Sequence, residues 1–103
     1  MRDKVDTLER AAARVRTGAQ IVMSANLHRS PPMALLRELV RQGARDLRVV
    51  GVVGGEINID FLVGANAVRT VDTCSVTLGR YARTGPNFAR YACAGRIKAL
   101  DNT

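Results

Sequence analysis

The fold turns on the stretch IVMSANLHRSPPMALLREL, residues 21–39. Ile21, Val22 and Met23 form an apolar run that reads as a strand, spanning 20–25 with its neighbours. The run shows no alternation of apolar and polar residues, the pattern expected of a strand buried on both faces. Pro32 opens a helix, where its missing N–H costs nothing. Met33, Leu35, Leu36, Leu39 and Val40 make its apolar stripe, and Arg37, Glu38, Arg41 and Gln42 lie mostly opposite. Gly43 is its expected stop. The connection between strand and helix contains no glycine and holds the only histidine of the chain, His28.

The same strand-then-helix rhythm runs outward in both directions. Upstream, Asp6-Thr7-Leu8-Glu9 has the form of a capping box. Val5, Leu8, Ala12 and Val15 share one helical face, and Thr17-Gly18 is the expected end of that helix. Downstream, 46–53 (DLRVVGVV) reads as a second buried strand closed by Gly54-Gly55. A short apolar helix over 58–68, a strand over 69–76, a helix opened by Pro86 and a final strand over 96–100 follow. Strands alternating with helices imply an α/β fold, an open parallel sheet with flanking helices joined by right-handed crossovers. One partial domain over residues 1–103 accounts for the whole pattern. A parallel sheet needs cover on both faces, and four strands with their helices make a thin one. The expectation is therefore part of something larger, or one half of an assembly.

Composition narrows the function classes. The 103 residues carry 16 Lys and Arg against 9 Asp and Glu, a net charge of +7, which favours polyanionic or phosphorylated partners. The arginines are scattered over polar faces and turns, so a solvated arginine-rich surface is the first reading and attraction of a phosphorylated ligand the second. With no basic cluster and no stacking platform of aromatics, nucleic acid is not the expected partner; Phe88 and Tyr91, at i and i+3, are expected to pack the last helix. No apolar run approaches the ~20 residues that span a bilayer, so no membrane partner is expected. The charged N-terminal stretch lacks the apolar segment of a secretory signal, and the expected compartment is the cytoplasm. Cys74 and Cys93 do not form a CxxC motif and are expected to be reduced and mostly buried.

Several residues carry two readings. His28 is either an exposed loop residue or one that faces substrate; no second ligand stands near it in sequence, so no metal is expected. Gly54-Gly55 is either a turn that needs conformational freedom or a backbone surface that touches a ligand or partner. Glu56 and Asp60, four apart, are read as acids favoured by a helix N-terminus rather than a catalytic pair.

Three blocks resemble the N-terminal half of the A (alpha) subunit of family I coenzyme A transferases, the glutaconate CoA-transferase-like branch: PMALLRELVRQGARDLRVVG (32–51), DFLVGAN (60–66) followed by a strand, and GPNFARYACAGRI (85–97). The resemblance runs from about Asp3 to Leu100. The family's glycine-rich loop stands where Ser24, Ala25 and Asn26 replace Gly, Gly and Phe, and Ser30 replaces a third Gly. Gly18, the Ile21–Met23 triplet and Pro32 keep their places, and Leu27-His28-Arg29 is a run the branch shares. Asn66 stands where the family prefers Gly, a mild change because Asn tolerates the left-handed region.

The resemblance implies an A-subunit part of an enzyme that moves CoA between an acyl-CoA and a carboxylic acid. Its partner would be a B subunit that supplies the nucleophilic glutamate, in a hetero-oligomer. The chain's own glutamates, Glu9, Glu38 and Glu56, are read as cap or helix-surface residues, so the chain alone is not expected to catalyse. The residues implied for substrate and CoA are Ser24, Ala25, Asn26, His28, Arg29, Gly54 and Gly55. Coenzyme A enters as substrate, with no metal. Family members that hydrolyse carbon–carbon bonds use an A-subunit acid near the end of the fourth strand, where Asp101 is the nearest candidate. Two alternatives stand beside transfer: a related acyl-CoA hydrolase or lyase subunit, and a non-catalytic remnant or interaction module of the same fold.

Overall fold

A computed structural model of the chain describes residues 3–24, 29 and 31–101. Its elements alternate as the sequence implies: α1 (Leu8–Ala13), β1 (Gln20–Ser24), α2 (Met33–Arg41), β2 (Leu47–Val52), α3 (Ile57–Gly64), β3 (Val68–Asp72), α4 (Pro86–Cys93) and β4 (Lys98–Leu100). All four strands are parallel and lie in the order β1-β2-β3-β4. An extra residue in β3 shifts the β2–β3 register between Leu47 and Arg48.

Strand order decides the layering. Each crossover moves one strand onward in the same direction, and right-handed crossovers then place every connecting helix on one face. The contacts agree: α1 packs on α2, α2 touches α3, and α3 packs on α4. The core lies between this helix layer and one face of the sheet, around Leu36, Leu39, Leu47, Val49, Ile59, Leu62, Val63 and Val71. α3 is the middle helix. Ile59, Leu62 and Val63 are fully buried, which suits a helix that is apolar almost all round.

The expectation of strands buried on both faces is therefore corrected. β2 alternates buried and accessible residues, Leu47, Val49 and Gly51 inward against Arg48, Val50 and Val52 outward. In β1, Met23 is buried while Val22 is 59% exposed. A run of apolar residues is compatible with two covered faces but does not require them.

The first helix also differs. Its cap is Thr7, whose side chain accepts from the Arg10 N–H at 3.2 Å. Asp6 instead pairs with Arg10 and Arg14 at 3.2 and 3.3 Å. The helix ends at Ala13, well before Gly18, and Leu8 and Val5 stay exposed because only the Ala12 side reaches α2. Glu38 is not on the helix surface. It is buried and paired with Arg41, and Gln42 bridges from its carboxylate to the Glu9 carbonyl. Both cysteines are free and, against expectation, exposed: Cys74 in the turn after β3 and Cys93 at the end of α4. Asn66 follows α3 with φ of 60°, the left-handed stop that Asn tolerates, while Tyr91 is buried and Phe88 packs against the core as expected.

Candidate functional site

Four parallel strands bring all their C-terminal ends to one edge, where open α/β sheets bind ligands. Here that edge gathers Ser24 at the end of β1, Val53-Gly54-Gly55 after β2, Thr73-Cys74-Ser75 after β3 and Asp101 after β4.

The turns after β2 and β3 are tied together. The Gly55 N–H donates to the Ser75 carbonyl at 2.7 Å, and the Thr77 N–H donates to the Gly55 carbonyl at 3.0 Å. Buried Thr73 places its hydroxyl 3.3 Å from the carbonyls of both Gly51 and Ser75. The Cys74 thiol lies 3.6 Å from the Val53 carbonyl. This lacing explains the Gly-Gly pair locally. Gly54 has φ of 126°, and a Cβ on Gly55 would run into the Ile59 side chain. Both glycines are buried.

Val53 is the outlier of the edge. It holds φ of 68°, a region that β-branched residues avoid, and is 88% exposed. Backbone strain of this kind concentrates at functional sites. At the start of α3, buried Asn58 accepts from the Glu56 N–H at 3.0 Å through Oδ1, and its Nδ2 has no partner among the described residues. A buried amide donor without an acceptor is uncommon.

Of the residues the sequence singled out, Ser24 is exposed and pairs in register with Val52, two residues before Gly54. Arg29 is exposed. Ala25, Asn26 and His28 lie outside the described residues. Asp101 is exposed at the opposite edge strand, three strand spacings of ~4.8 Å from Ser24, so the two are roughly 14 Å apart across the sheet. It lines a separate recess of about 210 Å³ with Val71, Thr73, Cys74, Ser75, Phe88, Ala99 and Leu100. Ser24 and the glycine turn thus belong to adjacent strands, and Asp101 does not join them. Sequence reading passed over Val53 and Asn58. The local signals were a β-branched residue before Gly-Gly and a polar residue inside an apolar helix. Among the described residues no three His, Cys, Asp or Glu side chains come together as a metal site, and no helix is long and apolar enough to cross a membrane.

Asp60 was read only as an acid of α3's own first turn. It does lie in that turn, but its side chain is buried and reaches α4. Oδ1 accepts from the Phe88 N–H at 2.8 Å and Oδ2 from Asn87 Nδ2 at 3.0 Å. It thereby caps a helix whose own N-cap residue, Gly85, has no side chain to do so.

No family model and no curated protein matches the chain. Solved structures do. Glutaconate coenzyme A-transferase from Acidaminococcus fermentans matches with a TM-score of 0.90 and 26% identity, over 98% of this chain and 32% of that one. A variant of the decarboxylase AibA/AibB matches with a TM-score of 0.79 and 26% identity, over 95% of this chain and 38% of that one. The fold is CoA-transferase-like, and the chain spans about a third of the length of these two structures.

Proposed function

We propose that this chain supplies the A-subunit-type wall of an acyl-CoA site in a CoA-transferase-type enzyme. The observation that carries the reading is the match to glutaconate coenzyme A-transferase along 98% of the chain at a TM-score of 0.90. The three similar segments of sequence point the same way. The catalytic glutamate comes from a B-type partner in a hetero-oligomer of the cytoplasm, and no metal takes part.

In this scheme the partner's carboxylate attacks the thioester carbonyl of an acyl-CoA and expels the CoA thiolate, leaving a mixed anhydride. The thiolate then attacks the glutamyl carbonyl and releases the acyl group as a carboxylate. An incoming carboxylate reverses both steps. This chain contributes position and charge. Ser24, Ala25 and Asn26 are the residues assigned to the thioester, where hydrogen-bond donors stabilise the negative charge that develops on its oxygen. His28 and Arg29 meet a carboxylate or a phosphate of CoA. Gly54 and Gly55 form the neighbouring wall.

The test is co-expression with the glutamate-bearing subunit from the same source, followed by CoA exchange between acetyl-CoA and a panel of mono- and dicarboxylates. Exchange by the complex, absent from either chain alone, supports the reading. A complex that neither exchanges nor binds CoA refutes it. A second reading, an acyl-CoA lyase or hydrolase subunit, draws on the match to a decarboxylase. Release of CO₂ or free CoA without a carboxylate acceptor would select it.

A further inference from the structure

The ends of β2 and β3 run out of step. Val50 pairs with Asp72, and the next pairing joins Gly55 to Val76. Residues 51–54 therefore stand opposite residues 73–75, four against three. An extra residue on one of two paired segments bends that segment and re-aims its side chains; such bulges are rare in parallel pairs and gather beside active sites. Here the bend falls on Val53 and Gly54, with φ of 68° and 126°, and Val53 points into solvent. A left-handed valine is unfavourable by itself and persists only where its surroundings fix it.

Thr73 is placed to do the fixing. It is 6% exposed, and its hydroxyl lies 3.3 Å from the carbonyl of Gly51, where the out-of-step segment begins, and 3.3 Å from that of Ser75, where the opposite segment ends. The Ser75 carbonyl also accepts the Gly55 N–H at 2.7 Å, so one oxygen gathers both turns. Gly51 and Thr73 are matched in shape: a Cβ on Gly51 would come within 2.6 Å of the Thr73 hydroxyl oxygen. The other side-chain tie, from the Cys74 thiol to the Val53 carbonyl, is longer at 3.6 Å and lies at the surface. We propose that Thr73 is the positioning residue of this strand-end wall: its buried hydroxyl latches the β2 turn to the β3 turn and thereby fixes where Val53, Gly54 and Gly55 stand against an acyl-CoA. Thr73 acts through the turn. The ligand in this inference rests on the acyl-CoA reading, and the latch rests on the hydrogen bonds alone.

The experiment compares Thr73→Val and Thr73→Ser with the parent chain, each in complex with the glutamate-bearing subunit and with acetyl-CoA as donor. Valine keeps the branched shape and loses the donor; serine keeps the donor. A wall that must be ordered anew at each binding event weakens substrate and transition state alike, so Thr73→Val should raise KM for acetyl-CoA about three- to tenfold and leave kcat within about twofold of the parent. Thr73→Ser should bring KM back to within about twofold. Hydrogen exchange at the Gly55 amide should accelerate in the Val variant and stay slow in the Ser variant. A purely structural role would lower kcat per total protein through loss of folded enzyme and leave KM unmoved. That result overturns the proposal, as does a Val variant with parental KM and kcat. Where Thr73→Val does not fold, the parent complex decides: protection of the Gly55 and Thr77 amides to the same degree supports the latch, and rapid exchange at either overturns it. A parent complex that does not exchange CoA refutes the acyl-CoA reading and this inference with it. Exchange by the parent beside a Val variant of parental KM refutes this inference alone.

Discussion

Replacing Asp60 should loosen α4, whose first turn lies 27 and 28 residues further along the chain. The carboxylate is 4% exposed and accepts from the Phe88 N–H and from the Asn87 side chain. Asp60→Ala strands a first-turn N–H, removes two bonds to an ionised acceptor and leaves a small void. A charge-assisted bond contributes ~1.5–3 kcal/mol, and the charge at a partly buried helix terminus up to ~2. These terms overlap, and desolvation of the carboxylate offsets part of them, so a net loss of about 3 kcal/mol is expected. Asp60→Asn keeps the volume and one acceptor but turns a donor toward Asn87 Nδ2. Asn87 resists the flip that would relieve this, because its Oδ1 already accepts from Arg90 at 2.6 Å. Its loss should be about half as large, ~1.5 kcal/mol. Urea unfolding followed by circular dichroism reads both, and an unchanged slope shows that the native state rather than the unfolded ensemble has changed. Hydrogen exchange at the Phe88 amide should accelerate more than exchange at Leu47 in β2. If Asp60→Asn matches the parent protein within ~0.5 kcal/mol, the buried charge contributes nothing net and the capping argument fails.

Other perturbations follow from the same geometry. Val53→Gly should raise stability by ~0.5–1 kcal/mol, because relief of a left-handed β-branched residue outweighs the added freedom of the unfolded chain; a lower urea midpoint would contradict it. Gly55→Ala should lower stability by ~1–3 kcal/mol, since its Cβ meets Ile59, and Ile59→Val should recover part of the loss in the double variant. Breaking the exposed Arg48–Asp72 pair should change stability by less than ~1 kcal/mol, measured as a coupling in a double-mutant cycle. In the reconstituted enzyme, Ser24→Gly should preserve or raise CoA exchange, and CoA affinity should fall as salt rises; a large loss with Ser24→Gly would mean the loop serves another chemistry.

Local chemistry was legible wherever one or two residues suffice to dictate conformation. Asn66 takes the left-handed conformation that its side chain tolerates, although the helix was expected to run past it, and Pro86 opens α4 because its ring suits a helix start. The alternation of elements, and with it the parallel sheet, followed from periodicity. Element ends drifted by a few residues, as with the third strand, which begins at Val68 where a helix was expected to run on. The candidate site was legible only as a string of positions. That Ser24 lies beside the β2 turn, and that Asp101 lies across the sheet from both, depends on strand order.

Sequence by itself determined the class of fold, the order of its elements and the identity of most inward-facing helix residues, because these are set by near neighbours along the chain. Tertiary structure decided the rest. The order β1-β2-β3-β4 placed every helix on one side and left Val22 and Val52 bare, although their sequence is that of a buried strand. It buried Glu38 between α1 and α2 and turned Asp60 from an acid of its own helix into the cap of another. Burial is a property of what arrives on the other side of a residue, and that partner comes from far along the chain, beyond the reach of any local pattern.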